Sequence, residues 1–306
     1  MNRKNNLHLI FFSAVFILAS IFSSFQNPQY LRADILTNIK NFFQGKKEPY
    51  IGDQLIVKEG YEKMSDGNTV IYYPDNDKYD VRQIMDYFNT ELKSCLEDIN
   101  CKYDPNKKRN IILFSDEKKY TQYAPRDIFG SGCYSPDTHT ILIDSSNIIN
   151  FNRTFAHEIA HMGLSEKCKS QLPRGLEEGF ARYREALTVN EKDNLDFAVA
   201  SSRNAHQKIY YGGNKFRVYS MRELLSGSYP KFKGKNEKDE FYYQGTSLTM
   251  FLKSRMKSDE DLVEFMKNPY SSSNLRKYGF KSTNDLKGQW YLWEDRPTLK
   301  INRNTQ

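Results

Sequence analysis

An α+β fold is predicted for this chain of 306 residues, and three observations predict it. Short apolar runs bounded by turn residues recur before residue 150, at 69–73, 110–114 and Thr140–Asp144. Beyond residue 151 the apolar period lengthens to three and four residues over long stretches, as amphipathic helices require. The chain is long enough to bury a sizeable core as one large domain or two lobes. The predicted organisation is a hydrophobic terminal segment (1–30), a linker or short juxtamembrane helix (31–50), a β-rich lobe (51–150) and a helical lobe (151–306), with a cleft between the lobes.

Arg3 and Lys4 precede the largely apolar stretch 7–25, which reads as an export signal or an inside-anchored membrane helix. Its strongest part, 9–22, is short for a spanning helix and suits a signal h-region, yet no clean small-x-small cleavage pattern stands at 19–24. Both readings stay open, and both put the remaining chain outside the cytoplasm, either held to a membrane by this segment or secreted or periplasmic after cleavage. No cysteine stands directly after the stretch, so it is not a lipoprotein signal. Residues 31–47 hold a short amphipathic run ending at Gly45 and two lysines.

In the β-rich lobe, 54–58 and 69–73 on either side of Asp66-Gly67 read as a hairpin. Asp80 fits the N-cap of a helix whose core face is Val81, Ile84, Phe88, Leu92, Leu96 and Ile99. Residues 110–114 form a nearly all-apolar, sheet-interior strand. Residues 130–135 and Thr140–Asp144, joined across Pro136-Asp137, read as a second hairpin directly before the next helix.

That helix, over 152–164, carries His157-Glu158-Ile159-Ala160-His161. The 3.6-residue period sets His157 and His161 one turn apart on one face, where two imidazoles can share one Zn²⁺ ion per chain. Glu158 lies about a quarter turn aside, placed to hold and deprotonate the attacking water. A third ligand is needed, and Glu178 is the candidate. It stands on a second predicted helix beside Gly179 and Ala181, whose small side chains let two helices approach closely. With 5 histidines in the chain, the motif arises by chance on the order of once in 200 such sequences.

His157-Glu158-x-x-His161 with Glu178-Gly179-x-Ala181-x-Tyr183-x-Glu185 resembles the gluzincin zinc metallopeptidases, in particular their minimal peptidase MA-like catalytic domains. The family's second motif usually opens with Trp where this chain has Gly175. The resemblance implies a zincin-like fold, with the strand before the metal helix forming a sheet edge that pairs with extended substrate. Related aminopeptidases grip the substrate amine with a Glu near this strand. Gly130-Ser131-Gly132-Cys133-Tyr134 has no acid, which leans this chain toward an endopeptidase.

Glu185, two turns beyond Glu178, is placed to orient a histidine, or else is a solvated helix charge. The stretch 241–252 resembles the family's Y-x-x-G helix, whose Tyr faces the metal. Phe241, Gly245, Leu248 and Leu252 share one face with Tyr242 flanking it, while Tyr243 points nearly opposite, so Tyr242 is the candidate oxyanion donor. The segment 275–293, with Trp290 and Trp293, reads as the closing helix.

Cys95, Cys101, Cys133 and Cys168 permit two disulfides in an exported chain. Cys133–Cys168 would tie the cleft walls and Cys95–Cys101 would clip a helix end; the alternative is buried thiols. Net charge is +7, spread over lysine-rich loops. No basic helix, phosphate loop or recognised module points to nucleic acid. The function expected is peptide-bond hydrolysis by a zinc metalloprotease acting on a peptide or protein. The alternatives are a zinc hydrolase for a non-peptide amide or epoxide, and an anchored zinc-binding module without catalysis.

Overall fold

The computed structural model describes residues 51–75, 80–124, 130–146, 148–188, 192–208 and 217–295; the predicted signal or anchor at 1–30 and the linker at 31–50 lie outside them. The first element is a helix, α1 (Ile51–Glu59), where a strand over 54–58 was expected. Gly60, at φ +68°, takes the left-handed conformation that ends a helix. The hairpin therefore starts later, as β1 (Tyr61–Asp66) and β2 (Thr69–Pro74), turning at Gly67 with φ +57°. Asp80 caps α2 (Val81–Asp98) by accepting from the N–H groups of Arg82 and Gln83. All six predicted core residues of that helix are buried.

β3 (Arg109–Phe114), α3 (Glu117–Tyr123), β4 (Gly132–Ser135) and β5 (Thr140–Asp144) complete a mixed sheet in the order β1-β2-β3-β5-β4. β2, β3 and β5 run parallel; β1 and β4 are antiparallel edges. β3 is buried along its whole length, which is why it reads as a continuous apolar run. Its Ile111 and Leu113 face the main core with Ile71, Ile141 and Ile143. Phe114 turns the other way and packs with Tyr61, Tyr120 and Tyr123.

Helices follow: α4 (Ile148–Lys167), α5 (Arg174–Thr188), α6 (Lys192–Lys208), α7 (Met221–Leu224), α8 (Lys235–Lys253), α9 (Asp259–Lys267), α10 (Ser272–Lys277) and α11 (Thr283–Glu294). Phe151, Phe155, Ile159 and Met162 seat α4 in the core. Its end is pinned to the start of β3 by Arg109, which is fully buried and bonds both oxygens of Glu166 at 2.8 and 2.9 Å. The predicted closing helix is two helices, because Gly279 (φ +86°) and the N-cap Ser282 break it. Trp290 and Trp293 are buried, and Glu294 joins α11 to α6 through His206 (2.6 Å) and to α8 through Ser247. From Leu55 on the chain forms one compact unit. No helix among the described residues is long and apolar enough to cross a membrane.

Candidate metal centre

Two helix contacts bring the candidate ligands together. α4 presents His157 and His161 one turn apart, with their Nε2 atoms separated by 3.2 Å. α5 meets α8 at glycines: a Cβ on Gly179 would overlap the Gly245 carbonyl and Thr249, and one on Gly245 would overlap the Gly175 carbonyl. A side chain at 175 would run into the backbone of Leu224, so α7 lies directly on Gly175. This close approach sets Glu178 Oε2 at 3.3 Å from His157 Nε2 and 3.6 Å from His161 Nε2. Ligand bonds of about 2.0–2.2 Å in a tetrahedral zinc site put neighbouring ligand atoms roughly 3.3–3.6 Å apart. The triangle matches that edge, and it is the one such group among the described residues.

The hydrogen bonds around the triangle orient it. His157 Nδ1 lies 3.2 Å from Glu185 Oε2, and His161 Nδ1 lies 3.2 Å from Glu177 Oε1. An ionised carboxylate only accepts, so each Nδ1 carries the proton and each Nε2 offers a lone pair to the shared point. Glu178 Oε1 accepts from the Tyr229 hydroxyl, while Oε2 is buried without a hydrogen-bond partner. Such an orphan is expensive unless a cation meets it. Two lone pairs and a carboxylate oxygen converging at zinc spacing, with a cleft on the remaining side, fit a zinc ion with one open position.

Electrostatics agree with that donor set. Burial opposes charge on both imidazoles, yet Glu178 and Glu185 raise His157, and Glu178 and Glu177 raise His161 well above its ordinary value. Burial likewise works to raise Glu178, but His161 and His157 hold its carboxyl well below the usual range. Glu185 is held at about 2, burial being outweighed by His157, Arg182 and Arg153. The carboxylates thus favour positive charge at the centre, which a metal ion held by the two Nε2 lone pairs would supply.

Glu158 is 6% exposed and turns from the histidine face toward β4. The Tyr134 backbone N–H lies near its carboxylate and works to lower its pKa, and a Cβ at Gly132 would collide with Thr154 and crowd Glu158. Gly132 thus lets the sheet edge lie directly on the metal helix. Burial raises the pKa of Glu158, against the pull of His157 and His161.

Tyr242 lines the same cleft of about 1240 Å³ as the histidines. Burial and the charge of Glu178 raise its phenol well above the ordinary value, so it keeps its proton as a donor. Tyr243, on the same helix, instead packs edge-on against Phe197 of α6. The four cysteines are thiols, and neither expected disulfide is formed. The Cys133 thiol faces the Tyr120 hydroxyl, and Cys95 is packed on Gly163 of α4, so both serve packing.

Sequence reasoning placed Glu185; it missed the bond between His161 and Glu177, and it missed Tyr229, Arg153 and Arg174. Arg153 bonds Glu185 at 2.9 and 3.1 Å, and Arg174 bonds Glu177 at 2.7 Å. The local signal for Arg174 is its i,i+3 spacing from Glu177. Tyr229 had no such signal, because it comes from the connection before α8. Because these carboxylates fix the imidazole tautomers, Glu185→Ala and Glu177→Ala should each weaken zinc affinity about 10- to 100-fold while the fold persists. Competition against a chelator measures this, and unchanged affinity in both would refute the orienting role.

No protein-family model matches this chain, and no curated protein matches it. Among solved structures it is similar to a mutant M1 zinc metallopeptidase from Deinococcus radiodurans bound to a Tyr-Ser-Ala substrate, at 13% identity and a TM-score of 0.36. That match covers 78% of this chain and 51% of the other, so the chain spans about half the length of the protein it matches. A likeness that distant says nothing of this chain's activity.

Proposed function

We propose that this protein is a zinc-dependent peptidase, an endopeptidase acting outside the cytoplasm. One observation carries the reading: ligand atoms at zinc spacing share a cleft with a buried carboxylate, Glu158, beside β4, an edge strand of the sheet among the described residues. When bound, zinc would polarise the scissile carbonyl and acidify the attacking water. Glu158 accepts the water proton at its carboxylate and delivers it to the leaving amine; a raised pKa improves the match for both transfers near neutral pH. Tyr242 donates its phenol proton in a hydrogen bond to the oxygen that becomes negative. β4, an edge strand beside the centre, offers backbone groups to an extended peptide.

The endopeptidase assignment rests on the acids. Among the described residues, the carboxylates lining the cleft are Glu158, Glu177, Glu178 and Glu185, each engaged at the centre. None is left over to bind a free amino terminus. Extracytoplasmic placement follows from the hydrophobic stretch 7–25.

Cleavage of a peptide library should track zinc content, stop on chelation and return with added zinc. A zinc-loaded protein that hydrolyses a non-peptide amide or an epoxide but no peptide would overturn the reading.

A further inference from the structure

The walls of the cleft carry seven cationic side chains against the four carboxylates already committed to the centre. Two of the cations stand on different helices around one ring. The Arg182 guanidinium of α5 lies 5.7 Å from the centroid of Tyr242, and the Lys238 ammonium of α8 lies 5.1 Å from it. Arg182 follows Glu178 by one helical turn, and Lys238 precedes Tyr242 by one turn, so both line the cleft beside the centre. The glycine contact between α5 and α8 fixes their separation.

Arg182 is under-used by the protein itself. Its Nε is buried without a hydrogen-bond partner, and its nearest ion-pair oxygen, on Glu185, is 3.9 Å away. That same oxygen is already bonded by Arg153 at 2.9 Å. The Arg182 side chain is 34% exposed and lines the cleft with one N–H unbonded, so it can take an acceptor from outside, and a planar fork is best matched by a carboxylate.

We propose that Arg182 and Lys238 form a subsite that holds a substrate carboxylate beside Tyr242, so that the peptides taken by this cleft are acidic ones. This rests on the peptidase reading and adds the substrate class to it. Lys238 is only 7% exposed, and its charge is opposed first by burial and also by Arg182, while Glu178 and Glu158 support it. Metal binding at the centre offsets the negative charge of those two glutamates. The electrostatic support that Lys238 draws from them then falls, and an incoming carboxylate restores it. The carboxylate belongs to an acidic side chain or to the peptide's carboxyl terminus.

The test uses the zinc-loaded full chain and three peptide sets: blocked peptides scanned with Glu, the same with Gln, and neutral peptides with a free carboxyl terminus. Expected is a kcat/KM advantage of about 10- to 100-fold for a carboxylate at one position, the size of a charged hydrogen bond. Arg182→Gln should lose far more on the carboxylate peptide than on its Gln partner, and Lys238→Met should do likewise. A Glu-scan preference identifies a side-chain carboxylate; a preference confined to the third set identifies the terminus. Equal cleavage of all sets by the wild type, or equal losses on Glu and Gln peptides in both variants, overturns the subsite and leaves the peptidase reading standing. If no peptide is cleaved, the peptidase reading fails, and fluorescence anisotropy of the same labelled peptides on zinc-loaded Glu158→Gln protein decides the subsite. Tighter binding of the carboxylate peptide, abolished by adding Arg182→Gln, supports it; equal binding overturns it.

Discussion

Glu158→Gln should leave zinc stoichiometric and lower kcat by about 10²- to 10⁴-fold, the range for removing a positioned general base. Gln preserves the shape beside Gly132, so the strand and the metal helix keep their packing. It cannot take up the water's proton. His157→Ala, His161→Ala and Glu178→Ala should behave differently, each losing the metal and activity together, because each removes one corner of the triangle. Metal analysis of the purified variants beside peptide turnover separates the two classes. Full activity in Glu158→Gln would remove its role as base. Full zinc in Glu178→Ala would hand the ligand role to Glu177, the neighbour now bonded to the outer nitrogen of His161.

The metal helix and its partner were legible because their information is local. A 3.6-residue period fixes which of residues 157–161 share a face, and Asp80 marks its helix start by accepting from the N–H groups two and three residues on. Glu178 was legible through the glycine beside it, whose close contact with Gly245 the structure shows. The slip at 54–58 has an equally local cause. A five-residue apolar and polar mixture fits a strand or a helix, and the deciding residue, Gly60, lies just beyond it. Gly279 split the closing helix in the same way.

What stayed hidden depends on contacts far apart in sequence. Arg109 reaches Glu166 across 57 residues and Tyr229 reaches Glu178 across 51, and neither pair leaves a periodic trace. The expected disulfides show the opposite error. An even cysteine count permits pairing, but where the side chains point decides it, and Cys95 points onto Gly163 of the metal helix.

Tyr242→Phe gives the sharpest view of the transition state, because three tyrosines near one helix predict three different outcomes. A phenol that donates to the developing oxyanion stabilises the transition state more than bound substrate, so its loss should lower kcat with KM little changed. The expected loss is on the order of 10²–10³-fold, about 3–4 kcal/mol, as for other oxyanion donors. Zinc content and thermal stability should hold, since Phe keeps the ring between Arg182 and Lys238. Tyr229→Phe removes instead the donor to Glu178 Oε1 and should appear first as weaker zinc binding, with kcat recovering at saturating zinc. Tyr243→Phe should do little, because that ring packs on Phe197 away from the cleft. If Tyr229→Phe lowered kcat at full zinc occupancy while Tyr242→Phe did not, the oxyanion donor would be the loop tyrosine, and Tyr242 would serve to hold it.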